Sequence, residues 1–320
     1  MRKLVFTGLL VVMGCASLIP LKVGPPRDIT VDVTPERIAR GEYLANHVTH
    51  CITCHSELNW DFYAGGQPQP GTEGQGGDPI AENMGIIGSF EVFAGNITPA
   101  ALNDWTDGQV IQAITEGVTR DGRPLFPVMP YSAFRIMPEE DVYAIVAYLR
   151  QLKPIENPVG KKKIKRILKL VERTFPSPWD PQPLPDPSDR LAYGKYLATI
   201  GSCHGCHDTF SSSGKPIEGM TLAGGNEFAL PEGGTVRSSN ITSDPETGIG
   251  NRSREEFIGL FKSFQNPVKM DEMNRHQNTV MPWPAFAGMK DEDLGAIYDY
   301  LMWAEPVKNR VEKYPVLAVP

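Results

Sequence analysis

Two pentapeptides with the same pattern constrain this chain more than any other feature of its sequence. They are Cys-Ile-Thr-Cys-His at 51–55 and Cys-His-Gly-Cys-His at 203–207. Cys-x-x-Cys-His is the attachment signature of c-type haem, because two thiols on one helical turn can each form a thioether with a haem vinyl group while the next imidazole is held over the iron. The predicted thioether residues are Cys51, Cys54, Cys203 and Cys206, and the predicted iron ligands are His55 and His207. We expect each of these imidazoles to donate its Nδ1–H to a backbone carbonyl, which leaves Nε2 for the iron.

Other uses of Cys-x-x-Cys fit this sequence less well. A closed zinc site takes four ligands in all, so the cysteines and histidines of the two motifs together would oversupply it. A redox-active dithiol needs no histidine after its second cysteine. Chance rarely repeats the full motif in a chain with 5 Cys and 6 His among 320 residues. The sequence therefore predicts two covalently bound haem c groups.

An internal repeat runs through the chain in the same order in both halves. The repeated pieces are Gly-x-Tyr-Leu-Ala at 41–45 and 194–198, Asn-Ile-Thr at 96–98 and 240–242, and Met-Pro-aromatic-x-Ala-Phe at 129–134 and 281–286. From the second cysteine of each motif to the repeated methionine there are 75 residues in both halves. We therefore predict a haem domain at 35–153, a basic and Pro-rich linker at 154–187, a second haem domain at 188–306 and a tail at 307–320.

Helical periodicity and capping residues predict three main helices in each half. They are expected at 35–47, 106–118 and 138–152, and at 188–200, 253–264 and 290–304. Strand signals are few, and Gly and Pro are frequent between the helices, as expected of loops that wrap a planar cofactor. The predicted fold class is all-α.

Each half resembles a class I cytochrome c domain, and the pair is similar to the dihaem cytochrome c family that includes cytochrome subunits of periplasmic alcohol and related dehydrogenases. The resemblance implies two tandem class I domains, each with three main helices and long haem-wrapping loops. It also implies that the first and last helices of a domain cross at a glycine and an aromatic residue. The corresponding pairs are Gly41 with Tyr148 and Gly194 with Tyr300.

The same resemblance implies that Met129 and Met281 are the second axial ligands of the two irons. A thioether is a soft, neutral ligand that favours ferrous iron, so His/Met ligation raises the reduction potential. A methionine in an apolar stretch is otherwise more often core filling. The second half departs from the first ahead of Met281, and a polar loop there contains rival ligands for the second iron. The rivals are Met270, Met273 and His276.

The repeated Asn-Ile-Thr triplets are predicted to hydrogen-bond at the haem edges. The residues concerned are Asn96, Thr98, Asn240 and Thr242. The alternative is that they are turn residues of the loops.

The first 20 residues have the layout of a secretory signal peptide, with two basic residues, an apolar run and then small residues. Val-Met-Gly-Cys at 12–15 resembles a bacterial lipobox, which predicts cleavage before Cys15 and a lipid anchor on it. Met13 departs from the small residue usual at its position, so cleavage further on and an uncleaved helix are the alternatives. The prediction is a lipoprotein on the periplasmic side of a bacterial membrane, either outer or inner.

The linker carries a basic stretch at 161–169 with apolar residues at roughly helical spacing up to Phe175. One interpretation is a helix packed across the two domains. The other is a basic amphipathic helix that lies on anionic lipid or on an acidic partner.

The predicted function follows from the ligands. An iron with two protein ligands has no open position for a substrate, which leaves single-electron transfer from a dehydrogenase to a cytochrome, an oxidase or a quinone-linked partner. The net charge of −7 argues against nucleic acid as a partner. The alternative is a dihaem enzyme. A peroxidase would need an iron that can open beside an acid–base group, and a thiosulfate dehydrogenase of this kind would need a cysteine ligand, for which only Cys15 is spare. No catalytic residue is predicted.

Overall fold

The computed structural model describes residues 22–64, 66–80, 91–211, 214–231, 233–266, 268–270 and 277–315. Cys15 and the predicted signal peptide lie outside these residues. Within the described ranges the regular secondary structure is mainly helical, and most of the helices are short. In chain order they are α1 Pro35–Tyr43, α2 Cys51–Cys54, α3 Pro99–Leu102, α4 Asp107–Glu116, α5 Tyr131–Phe134, α6 Glu139–Leu149, α7 Arg166–Val171, α8 Arg190–Ile200, α9 Cys203–His207, α10 Arg254–Lys262, α11 Trp283–Ala287 and α12 Asp291–Trp303.

The described strands are two or three residues long and form two antiparallel pairs. They are β1 Leu58–Asn59 with β2 Gln67–Pro68, and β3 Glu227–Ala229 with β4 Thr235–Arg237. Three further turns are helical but not α: a π turn at Leu44–Val48 continues α1, and 3-10 turns lie at Glu172–Thr174 and Ser263–Gln265. The chain is therefore helix-rich with few strands, as predicted. Within the described ranges every helix is too short or too polar to cross a bilayer.

Helices form at all six places that periodicity indicated, and their ends differ from the predicted ones by a few residues. The predicted first residue often turns out to be the N-cap, which lies just outside the helix. Thr106 accepts a hydrogen bond from the backbone N–H of Gln109 at 3.2 Å, and Ser253 accepts one from Glu256 at 3.2 Å. The Gln109 and Glu256 side chains in turn accept from the backbone N–H of the cap residue. These capping boxes satisfy helix N–H groups that have no partner within the helix.

The first and last helices of each half cross at a glycine, as predicted. A Cβ atom placed on Gly41 of α1 would lie 1.9 Å from a carbonyl oxygen of α6, and one placed on Gly194 of α8 would lie 1.9 Å from a carbonyl oxygen of α12. The oxygens belong to Ala144 and Ala296. The predicted aromatic residues, Tyr148 and Tyr300, supply the next contact through their Cβ atoms. Only glycine permits this backbone approach.

Two reciprocal hydrogen bonds join the halves. The hydroxyl of Tyr43 on α1 donates to Asp293 on α12 at 2.5 Å, and the hydroxyl of Tyr196 on α8 donates to Asp141 on α6 at 2.5 Å. Tyr43 and Tyr196 are the same residue of the Gly-x-Tyr-Leu-Ala repeat, so the contact has an approximate twofold pattern. Residues of both halves, among them Leu44 and Leu197, belong to one apolar cluster beneath these bonds.

We expect Tyr43→Phe and Tyr196→Phe each to lower the free energy of unfolding by about 1.5–3 kcal/mol, because each removes a hydrogen bond to a buried, charged carboxylate. Asp141 keeps its ion pair with Arg40 at 2.9 Å in the second variant. The measurement is denaturant unfolding of the haem-loaded protein. Tyr298→Phe is the matched control, since the Tyr298 hydroxyl donates to the Arg252 carbonyl within one half on an exposed surface. A control that costs as much as the other two would contradict the assignment of these bonds to the contact between halves.

Candidate haem-binding sites

Both Cys-x-x-Cys-His motifs lie on short helices that begin after a residue in the left-handed backbone conformation. His50 precedes α2 with φ 41°, and Ser202 precedes α9 with φ 59°. This kink ends the preceding helical segment and places the two thiols of each motif on a single helical turn. Within the described residues, none of the four motif cysteines forms a disulfide.

The histidine of each motif is held by the same kind of hydrogen bond. Nδ1 of His55 lies 2.6 Å from the Gly95 carbonyl oxygen, and Nδ1 of His207 lies 2.7 Å from the Ser239 carbonyl oxygen. A carbonyl oxygen can only accept, so Nδ1 carries the proton and Nε2 keeps its lone pair for a metal. Burial lowers the pKa of both imidazoles, which favours the neutral form that ligates iron. The predicted Nδ1–H bond to a backbone carbonyl is confirmed.

The two carbonyls occupy the same place in the repeat. Gly95 and Ser239 each immediately precede an Asn-Ile-Thr triplet. A backbone N–H also closes each loop on its histidine: Gly76 donates to the His55 carbonyl at 2.8 Å, and Gly224 donates to the His207 carbonyl at 2.7 Å. The donor in each half opens a Gly-Gly pair with positive φ, Gly76–Gly77 and Gly224–Gly225, and this is the sequence signal that the repeat analysis missed.

The cysteine thiols lie in an apolar environment, and the two motifs are close to each other. Burial raises the pKa of Cys54 to about 12, with a further rise from the charges of Cys51 and Cys206. Burial likewise raises the pKa of Cys203 to about 12. Thiols kept neutral are poor thiolate ligands for a metal ion. The residues just before the two motifs meet, because a Cβ atom placed on Gly201 would lie 3.5 Å from the Val48 carbonyl oxygen.

Met129 and Met281 have the same local structure. The Met129 carbonyl accepts from the backbone N–H of Tyr131 at 2.9 Å, and the Met281 carbonyl accepts from Trp283 at 2.7 Å. Each turn leads into a short helix, α5 or α11, and both methionines are partly buried against the main apolar cluster. Their role as axial ligands remains a prediction. Of the rival ligands, Met270 donates its backbone N–H to Asp61, whereas Met273 and His276 lie outside the described residues.

The Asn-Ile-Thr triplets fasten a loop to the segment that follows the last helix of each half. Asn96 Nδ2 donates to the Ile155 carbonyl at 2.8 Å, and the Ile155 N–H donates to Thr98 Oγ1 at 3.2 Å. In the second half the corresponding distances are 2.7 and 3.2 Å, and the residues are Asn240, Val307 and Thr242. This clamp holds the loop in place, and the carbonyl just before each triplet, that of Gly95 or Ser239, accepts the hydrogen bond from the histidine. The predicted hydrogen bonds to a haem edge remain a prediction.

We expect Asn240→Ala to lower the free energy of unfolding by about 1–3 kcal/mol, because it removes a buried amide that donates to the Val307 carbonyl and accepts from the Thr242 N–H. Asn251→Ala is the control, since the Asn251 side chain donates to the Pro245 carbonyl at 2.7 Å on an exposed surface. Denaturant unfolding and a potentiometric titration of the haem-loaded variants distinguish a structural clamp from a hydrogen bond to the haem edge. A changed haem potential with unchanged stability would contradict the clamp.

The histidines outside the predicted ligand set have protein partners. His47 Nδ1 lies 3.0 Å from the Ala285 carbonyl oxygen of the other half. His204 lies between Asp208, 2.9 Å from its Nδ1, and the Tyr300 hydroxyl, 3.1 Å from its Nε2. His50 contacts the Cys54 sulfur at 3.5 Å. The sequence did not indicate that His47 bridges the halves, because the repeat has no histidine at the equivalent position of the second half, which is Ile200.

These residues fit haem c. Each site pairs two neutral thiols on one helical turn with an imidazole whose Nε2 is left to ligate. The one nitrogen donor that each motif presents is too few for a closed zinc site, which takes four ligands, and it suits haem iron better.

Comparisons with known proteins agree with this chemistry. No protein-family model matches the chain. It is 28% identical over 309 residues to the cytochrome c subunit of the quinone alcohol dehydrogenase of Gluconacetobacter polyoxogenes. This alignment covers 91% of this chain and 61% of that protein. It is 28% identical over 286 residues to the fructose dehydrogenase cytochrome subunit of Gluconobacter japonicus, covering 82% of this chain and 52% of that protein.

The gluconate 2-dehydrogenase cytochrome c subunit of Pantoea cypripedii is 27% identical over 301 residues, covering 82% of this chain and 58% of that protein. The chain therefore spans 52% to 61% of the length of these curated relatives. Their names imply a covalently bound haem c. The chain is a homologue of the cytochrome subunits of alcohol, fructose and gluconate dehydrogenases.

Proposed function

We propose that this protein is a dihaem cytochrome c that relays single electrons from a dehydrogenase to a downstream redox acceptor. Each half holds one haem c as a class I cytochrome c domain. The protein works on the periplasmic side of a bacterial membrane and is anchored there through a lipid on Cys15.

The observation that carries this proposal is the equivalence and closeness of the two sites. Both histidines have the same Nδ1 bond to the carbonyl before an Asn-Ile-Thr triplet, at 2.6 and 2.7 Å. The backbones that lead into the two motifs are in contact, since a Cβ atom placed on Gly201 would lie 3.5 Å from the Val48 carbonyl oxygen. Two similar redox centres side by side in one chain suit the passage of an electron from one to the other.

The chain's own residues set what each site can do. Haem c, when bound, supplies an iron that gains and loses one electron. His55 and His207 would ligate the iron through Nε2, and the carbonyl bonds at Nδ1 fix their orientation and make them more basic. Met129 and Met281 would supply thioether ligands, which would favour the reduced state. An iron with two protein ligands would leave no position for a reactant, so its chemistry would be electron transfer.

The donor follows from the names of the relatives, which are cytochrome subunits of alcohol, fructose and gluconate dehydrogenases. We infer a dehydrogenase of this general kind as the donor to this chain. The acceptor is a cytochrome, an oxidase or a quinone-linked partner.

The test uses the haem-loaded protein and the dehydrogenase encoded beside it. Addition of the dehydrogenase's substrate should reduce both haems, seen as the sharpened absorption bands of ferrous cytochrome c. The control is the same dehydrogenase with a chemical electron acceptor. An active dehydrogenase that leaves both haems oxidised would contradict the proposed donor.

A further inference from the structure

The linker segment has a row of exposed apolar side chains on one face, and its other face is bonded to the first half. Ile167, Val171 and Phe175 are spaced by four residues and leave 63%, 42% and 48% of their surfaces exposed. Residues four apart lie on one face of a helix, and these span α7 and the 3-10 turn after it. No residue of α7 is fully buried. Large apolar side chains grouped in this way on a surface indicate an interaction site.

Basic residues surround this stripe, which we name the linker patch. Residues 161–173 hold seven Lys or Arg and one Glu, a net charge of +6 in a chain of net charge −7. Four of the basic residues are exposed and have no ion pair within the described ranges. They are Lys161, Lys165, Arg166 and Lys169. The patch is thus opposite in charge to the chain as a whole.

The other side of the segment is fixed to the first half. Lys162 Nζ donates to the Pro124 carbonyl at 3.1 Å and pairs with Glu172 at 2.6 Å, so the one carboxylate of the segment is turned inward and buried. Lys163 and Glu91 exchange two backbone hydrogen bonds, at 2.8 and 2.9 Å. The stripe therefore faces outward on a preformed surface.

We propose that the linker patch binds the surface of an anionic lipid bilayer. A short helical segment with bulky apolar residues on its outer face and basic residues around them has the composition of an interfacial membrane-binding element. Anionic headgroups supply the charge that the patch lacks, and the acyl boundary covers Ile167, Val171 and Phe175. This role does not require the other interpretation of the linker, in which its helix packs across the two domains.

Bilayer binding would also orient the protein. Ile164, just before α7, packs in a small cluster with Cys54, Phe126 and Val128. Cys54 is a predicted thioether residue and Val128 precedes Met129. The patch therefore lies next to the wall of the first haem site, and lipid binding would turn that site toward the membrane surface.

The test measures co-sedimentation of the haem-loaded mature chain with vesicles. All proteins are produced with a cleavable export signal in place of residues 1–15, so that neither a lipid on Cys15 nor the apolar run before it contributes. Vesicles of mixed phosphatidylglycerol and phosphatidylcholine should bind the protein, and pure phosphatidylcholine vesicles should bind it much less. Each basic residue near an anionic surface contributes about a fivefold factor in binding. The variant K165E/R166E/K169E should therefore lose binding by at least about tenfold.

A second variant and a control separate the patch from overall charge. I167S/V171S/F175S should also weaken binding, because it removes the apolar contribution. K153E/K195E/K215E changes the net charge by the same amount as the first variant at exposed sites elsewhere, and should bind as the parent does. Haem absorption and thermal unfolding establish that each variant is folded.

Three results would overturn the proposal. They are equal binding to both kinds of vesicle, an equal loss of binding in the control, and unchanged binding in both patch variants. The proposal would also be overturned if the parent protein does not bind vesicles and the patch variants bind the dehydrogenase less tightly. That result would assign the patch to an acidic protein partner. None of these outcomes depends on electron transfer, so the proposed function is tested separately.

Discussion

Gly41→Ala and Gly194→Ala are each expected to lower the free energy of unfolding by about 3 kcal/mol, near the upper end of what overpacking costs. The added methyl group would lie 1.9 Å from a carbonyl oxygen of the crossing helix. Backbone cannot move aside as the end of a flexible side chain can, so the helix pair must separate. Because the Cys-x-x-Cys-His motif follows soon after each crossing helix, we also expect less haem to be attached during production.

Gly259→Ala is the matched control for this prediction. Gly259 lies inside α10, and an added Cβ would meet nothing within 4 Å. Alanine is the better helix former by about 0.5–1 kcal/mol, so this variant should be slightly more stable than the parent. Denaturant unfolding of the haem-loaded proteins gives all three values. If Gly41→Ala and Gly194→Ala unfold like the parent, the close crossing is wrong.

Met129→Leu and Met281→Leu should each change one haem and leave the other as it was. Leucine fills nearly the same volume but cannot ligate, so the affected iron loses its thioether. Its reduction potential should fall by more than about 0.1 V, a modest part of the roughly 0.8 V that axial ligands span. The far-red sulfur-to-iron charge-transfer band of the oxidised protein should fall by half in each variant.

Buried methionines without this role provide the control. Met137 and Met289 are fully buried core residues, so Met137→Leu and Met289→Leu are volume-conserving changes expected to cost less than about 1.5 kcal/mol. Both should keep the full charge-transfer band and both potentials. If Met281→Leu keeps the full band, Met281 is not the ligand of the second iron, and a residue of the loop before Met281 is.

Local features of the sequence predicted the framework of the sites. The six main helices follow from capping residues and periodicity, whereas the two glycine crossings were implied by the resemblance to class I cytochrome c domains. The Nδ1 bonds of His55 and His207 were expected in kind, but the accepting residues, Gly95 and Ser239, were not identified. Backbone carbonyls accept hydrogen bonds whatever the side chain, so a sequence does not mark them.

The contact between the halves could not be predicted from sequence. Tyr43 and Tyr196 belong to a repeat that is explained equally well by packing within each half. Their carboxylate partners, Asp293 and Asp141, sit in acidic first turns that helix electrostatics already accounts for. Pairing over such sequence distances depends on how the two halves dock, which has no local signature.

The linker gave two interpretations because basic and apolar residues alternate at a spacing typical of either a packed or a surface helix. The structure distinguishes them only by exposure. Ile167 keeps 63% of its surface accessible, while Ile164 packs inward. A sequence pattern indicates that a helix has two faces but does not indicate which one the protein body covers.

The central claim is that both irons are held on both sides by protein atoms, and carbon monoxide tests it most directly. The fully reduced, haem-loaded protein should show unchanged visible absorption bands after equilibration with carbon monoxide, because His55 with Met129 and His207 with Met281 leave no open position. Met129→Leu should bind the gas at one haem, which establishes that the assay detects an open site. Stoichiometric binding to either haem of the unmodified protein would contradict the claim and indicate a centre that can accept a reactant.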